Sequence, residues 1–156
     1  MNLHQIEFEE TNKFSSLFLD YLQNKKELQP LFTYLPQLDQ FEEIITNRRF
    51  QDERRGILTN VLKEQYDGLA ISDAVSTNID LLNDKNTFTI TTGHQLNIFT
   101  GPLFFIYKVV TVINMAKMIR DRFLHYNFVP VYWMASEDHD FAEINNFRLF
   151  GKKYEW

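Results

Sequence analysis

The chain contains no cysteine. That one absence excludes disulfide bonds, thiolate metal centres and a cysteine nucleophile. It also lacks a basic stripe: net charge is −5, and nucleic-acid binding has no electrostatic footprint here. There is no long hydrophobic run. The longest apolar stretch, Leu103 to Ile113, is broken by Lys108 and Thr111, too short and too polar to span a bilayer. Met1-Asn2-Leu3-His4-Gln5 shows no basic region followed by an apolar one, so no signal peptide is read there and the cytoplasm is the expected compartment. Glycine is sparse, at five residues, and two of the five, Gly93 and Gly101, bracket a single short segment.

What is present is a globular balance. Of 156 residues, 44% are apolar and 24% charged, which fits one domain, or a domain with an appendage. Fifteen phenylalanines imply a bulky core or a shared interface, since large rings supply much of the burial energy. Charge is uneven. Residues 1–85 carry nine Lys/Arg against fifteen Asp/Glu, and residues 86–156 seven against six.

Residues 1–85 read as a helical N-terminal region. Phe14, Leu17, Phe18, Tyr21 and Leu22 recur at helical spacing. Pro30 and Pro36 punctuate a connector. Leu38, Phe41, Ile44 and Ile45 suggest a second helix; Ile57, Leu58, Val61 and Leu62 suggest a third, ending near Gly68. Ser72 is placed to cap a fourth, with Val75, Ile79 and Leu82 inward. Arg48, Arg49, Asp52, Glu53, Arg54 and Arg55 read as solvated helix faces.

Residues 86–156 change character. Thr87 to Thr92 is β-branched and reads as a strand, with a loop from Gly93 to Gly101. Pro102 suits the first position of a long helix running to about Phe123. That helix is apolar on most sides, apart from Lys108, Thr111, Asn114 and Lys117, so burial between layers is expected. Phe128 to Ala135 is a nearly continuous apolar run, the pattern of a strand buried on both faces. Strand, helix and buried strand make a βαβ unit with parallel strands and a right-handed crossover. Asn146 to Trp156 can start a hairpin, with Gly151-Lys152 at its turn. The fold class is therefore α/β, a parallel sheet core after a helical region.

In open α/β sheets, ligands bind beyond the carboxyl ends of the strands, and two segments sit there. The first runs from Thr92 through Gly93, His94, Gln95, Asn97 and Thr100 to Gly101 and Pro102. It feeds a helix N-terminus, whose unpaired N–H groups attract anions. It matches neither the P-loop nor the GxGxxG pattern. An ordinary βα turn with Gly101 as the N-cap reads equally well. The second holds Glu137, Asp138, His139, Asp140 and Glu143, four acids and a histidine within seven residues. Such crowding is common where chemistry is done, and His139 has the residue type of a general acid or base. Capping explains part of it, with Asp140 as N-cap and Glu143 three residues on. Lys108, two turns into the helix, either reaches back toward an anion or lies on a solvated face. His94, Asp138, His139 and Glu143 also include metal-ligand types, which leaves a metal-dependent hydrolase open. A non-catalytic helical interaction module is the third reading.

The two segments together carry a resemblance. Gly93-x-Gln95, Phe99-Thr100-Gly101-Pro102-Leu103 and Ile106-x-Lys108, then Pro130-Val131-x-Trp133-x-Ala135-x-Glu137-Asp138-His139-Asp140-x-x-Glu143-Ile144-Asn145, resemble the cysteine ligase family of bacillithiol biosynthesis. The resemblance implies a Rossmann-like core akin to class I aminoacyl-tRNA synthetases and nucleotidyltransferases. It implies addition of cysteine to the amine of glucosaminyl-malate, with ATP or another nucleotide activating the carboxylate. Asp138, His139 and Glu143 would be catalytic. Gly93, His94, Gln95, Asn97, Thr100, Gly101, Pro102, Lys108, Glu137 and Asp140 would bind substrate or nucleotide, with no metal assigned. Family members are several times longer and dimerise through a coiled coil. Residues 86–156 would then be the first part of the core, with its remainder and the coiled coil outside this chain. Three positions depart from the family pattern: glutamine is common at His94, and small residues at Leu96-Asn97.

Overall fold

The computed structural model describes residues 4–138 and 141–156. The chain divides into two compact units, one up to Arg49 and one from Phe50 to Trp156.

In the first unit, α1 (Ser16–Leu22) begins at Ser15, whose Oγ accepts the Phe18 N–H at 3.3 Å. That satisfies one of the orphan donors of the first turn. Phe14 lies before the helix and packs with Phe8 and Phe18 at 4.7 and 5.0 Å between ring centroids. Pro30 falls inside a 3-10 helix, Lys26–Leu31, so the expected connector is partly helical. A 3-10 turn, Leu38–Gln40, leads into α2 (Phe41–Asn47), where Ile45 is buried.

The second unit opens with α3 (Asp52–Gln65) and α4 (Asp73–Leu81). Ser72 occupies the N-cap position of α4 but makes no side-chain cap bond. Ile79 and Leu82 are buried as expected. β1 (Thr87–Gln95) pairs in parallel with β2 (Asn127–Ala135), from Thr87 opposite Asn127 to Gln95 opposite Ala135. α5 (Leu103–Arg122) crosses between them and packs on both. The expected parallel βαβ unit is thus observed. A short helix, α6 (Phe141–Ile144), and an antiparallel hairpin of β3 (Asn146–Leu149) and β4 (Lys152–Glu155) complete the unit.

The core lies between α5 and the strands. Ala116, Ile119 and Phe128 are each 1% exposed, and Val112 and Val129 are buried beside them. Arg120 ties helix to sheet by donating to the Phe128 carbonyl at 2.8 Å.

Several expectations are corrected. β1 continues through Gly93, His94 and Gln95, because β2 offers a paired backbone as far as Ala135 and unpaired ladder groups are costly. The loop is therefore shorter than read. Pro102 sits at the N-cap with extended backbone, and the helix begins at Leu103. α5 is buried on one face only. Leu103, Ile106, Tyr107, Val110 and Met118 are exposed, since a two-stranded sheet covers a single side of a helix. β2 is likewise buried at Phe128 and Val129 but exposed at Trp133 and Met134. The hairpin turns at Phe150-Gly151, one residue before the expected Gly151-Lys152.

Arg55 is not solvated. Its guanidinium is buried and donates to the carbonyls of Leu82 at 3.1 Å, Thr87 at 3.3 Å and Lys85 at 3.4 Å. It thereby closes the C-terminal end of α4, where unpaired carbonyls and the helix dipole favour a cation, and anchors the start of β1. Thr87 Oγ1 adds a bond to the Leu81 carbonyl at 2.6 Å.

Candidate functional site

Parallel pairing puts the C-terminal ends of β1 and β2 side by side, with Gln95 opposite Ala135. The glycine-bracketed loop and the acidic segment therefore leave the sheet at one rim, the place where open parallel sheets take ligands. A side-chain bond joins them: Gln95 Nε2 donates to the Glu143 carboxylate of α6. A ring contact adds a second link, between Phe99 of the loop and Phe147 of β3, with centroids 5.0 Å apart.

The loop itself is tightly specified. Phe99, Thr100 and Gly101 follow one another at φ 49°, 68° and 62°, a left-handed run that costs free energy at the two non-glycine positions. A Cβ on Gly101 would lie 2.8 Å from Asn97 Cγ, so that position needs glycine for both conformation and space. Asn97 Nδ2 donates to the Gln95 carbonyl at 3.4 Å, and Gly101 N–H to the Ile98 carbonyl at 2.8 Å. Thr100 is exposed, and its hydroxyl donates to the Phe99 carbonyl. Beyond Pro102, Phe105 N–H donates to the Pro102 carbonyl at 2.9 Å, the Leu103 and Phe104 N–H groups precede any intrahelical acceptor, and no side chain caps the turn.

Around Gly93 and His94 the backbone is crowded. A Cβ on Gly93 would meet the Trp133 carbonyl at 2.9 Å, so β1 and β2 approach closely only because residue 93 is glycine. Lys108 reaches back from α5, its ammonium donating to the Gly93 carbonyl at 3.1 Å and lying 5.4 Å from the Phe104 ring centroid. Lys108 is exposed, as a solvated-face residue is, while its ammonium turns back to the loop backbone. His94 is half-buried; its ring packs on Phe104 at 5.2 Å and edge-on to Phe105 at 6.2 Å.

Tyr132 was not singled out by sequence, where it reads as core. Its hydroxyl donates to the His94 carbonyl at 3.2 Å, and its ring meets Phe105 edge-on at 5.3 Å. The available signal was a polar-tipped ring in an otherwise apolar strand, since a buried tyrosine hydroxyl usually finds a partner.

In the acidic segment, Glu137 and Asp138 are exposed in the turn after β2, where Asp138 N–H donates to the Ala135 carbonyl at 3.3 Å. Glu143 is the acid held against the end of β1, at Gln95. His139 and Asp140 lie outside the described residues. Among the described residues, no three His, Asp or Glu side chains gather into a group able to hold a metal ion, and no helix is long and apolar enough to cross a membrane. The rim thus offers two chemistries side by side. Lys108 and the first amides of α5 are N–H donors; Glu143, Glu137 and Asp138 are carboxylate acceptors.

A parallel βαβ unit after a helical region defines a Rossmann-like α/β protein. The chain matches, over residues 1–156, the family described as "Bacillithiol biosynthesis BshC, N-terminal Rossmann-like domain", and it belongs to that family. Relatives named "Putative cysteine ligase BshC" include one from Flavobacterium johnsoniae, 50% identical over 97% of this chain and 29% of the relative. Another, from Christiangramia forsetii, is 48% identical over 97% of this chain and 28% of its own length. One from Bacillus thuringiensis is 36% identical over 81% of this chain and 23% of its own length. The chain therefore spans less than a third of the curated relatives it matches.

Proposed function

We propose that this chain forms the substrate-binding rim of a cysteine ligase of bacillithiol biosynthesis. The observation that carries the reading is the Gln95–Glu143 bond, which holds loop and acidic segment together at the end of two parallel strands. The names of the relatives support the reaction class.

Joining a carboxylate to an amine requires the carboxylate oxygen to be activated as a leaving group. ATP or another nucleotide is the activator in this reading. The α5 amides, Lys108, Thr100 and Asn97 would hold its phosphates or the cysteine carboxylate, using charge-assisted hydrogen bonds. Gly93, Gly101 and Pro102 shape the backbone that presents them. Glu143, Asp138 and His139 would take the amine of glucosaminyl-malate, with Glu137 and Asp140 adding negative charge around it. The protein at its relatives' length is proposed to work in the cytoplasm as a homodimer joined by a coiled coil.

The test is reconstitution with cysteine, glucosaminyl-malate and ATP, following bacillithiol and the release of AMP or ADP. Product formation that falls at least a hundredfold in Glu143→Ala and in His139→Ala is the expected result. Undiminished formation in both variants, or product without nucleotide turnover, would remove the assigned roles.

A further inference from the structure

We infer that His94 receives the substrate's primary amine at Nε2, as a hydrogen-bond acceptor, instead of donating to an anion. This rests on the ligase reading above and assigns the side of the reaction that His94 serves.

His94 Nδ1 lies 3.0 Å from the main-chain oxygen of Gln95. A carbonyl oxygen only accepts, so this contact is a hydrogen bond only when Nδ1 carries the proton. An uncharged imidazole has a single N–H. With that proton on Nδ1, Nε2 presents a bare lone pair. No protein donor bonds to it among the described residues.

The ring is held in this setting from several directions. The His94 backbone is paired opposite Met134, its carbonyl takes the Tyr132 hydroxyl, and its ring is packed against Phe104 and Phe105. A phosphate or carboxylate finds no donor at such a nitrogen. An amine N–H does find an acceptor there.

Two measurements on the protein at its relatives' length test this. Long-range proton–nitrogen NMR of protein carrying 15N-histidine reports the tautomer directly, with the His94 resonances identified by their loss in His94→Gln. The expected pattern at a pH where His94 is uncharged is a protonated Nδ1; a protonated Nε2 would overturn the proposal. In steady-state assays, His94→Leu should raise the KM for glucosaminyl-malate roughly tenfold to a hundredfold, the loss of one hydrogen bond to a charged group, and leave the KM for cysteine unmoved. His94→Gln, whose side-chain oxygen extends about as far as Nε2, should recover most of that loss, and it answers the question should the leucine variant not fold. A rise in the cysteine or nucleotide KM in place of the amine KM would overturn the proposal while leaving the ligase reading intact. Wild-type protein that makes no amide from these substrates would remove the ligase reading and, with it, the amine.

Discussion

Arg55 shows how far a single side chain can depart from its local pattern. It sits in a run of charges that looks solvated, yet it is buried and its guanidinium bonds three carbonyls at the junction of α4 and β1. Its Nε has no hydrogen-bond partner, and Asp52 stands 3.8 Å away as its only acid neighbour among the described ion pairs. The fork geometry is what reaches several carbonyls at once, which lysine cannot imitate. Arg55→Ala is expected to destabilise the second unit by about 3 kcal/mol, through lost charge-assisted bonds and carbonyls left without donors. Urea unfolding with an unchanged m-value would measure it, and Arg55→Lys should recover less than half. Gly101 makes the complementary case. Gly101→Ala meets both a left-handed φ of 62° and the Asn97 side chain, for an expected cost of about 1–3 kcal/mol. Adding Asn97→Ala should return the steric part and leave the conformational part, a separation that a double-mutant cycle reads.

At the scale of elements, caps and turns give sharper expectations than packing does. Ser15 and Ser72 hold the same position before α1 and α4, but only Ser15 bonds its helix. Ser15→Ala should therefore cost about 1 kcal/mol, and Ser72→Ala less than about 0.5 kcal/mol, compared by thermal unfolding. The hairpin turn places Phe150 at φ 48° and Gly151 at φ 78°. Positive φ at both central residues is the pattern that asparagine followed by glycine suits best. Phe150 is almost wholly exposed, so it contributes little packing to offset its strain. Phe150→Asn is expected to stabilise the hairpin by about 1 kcal/mol, measured as slower amide hydrogen exchange in β3 and β4. The periodicity of these elements was legible: α2, α3, α4 and α5 fall where the apolar spacing puts them. Their ends were less so. β1 runs past Gly93 because the facing strand supplies a ladder, and a local propensity has no knowledge of that partner.

Over the second unit as a whole, the site is assembled by topology. Gln95 and Glu143 are far apart in the sequence and meet because β1 and β2 run parallel and end together. If that meeting organises the rim, the two side chains should be coupled. In a double-mutant cycle on amide formation, Gln95→Ala and Glu143→Ala are expected to show an interaction energy of about 1.5–3 kcal/mol. Additive effects would mean that the two segments act separately. The same topology explains why α5 keeps Leu103, Tyr107 and Val110 in the open although its composition suggests full burial: two strands provide one covering face.

The sequence by itself determined the order of elements, the parallel βαβ unit and the two segments that carry polar chemistry, because backbone preference, hydrophobic period and glycine placement are local properties. It also carried the family, through an ordered set of residues in those segments. Only the tertiary structure decided that Arg55 is buried, that Tyr132 holds the His94 carbonyl, that Lys108 turns back to Gly93 and that Gln95 meets Glu143. Each of these depends on a partner distant in the chain. A polar side chain is exposed or buried, free or bonded, according to what packing brings beside it, and local spacing does not encode that neighbour.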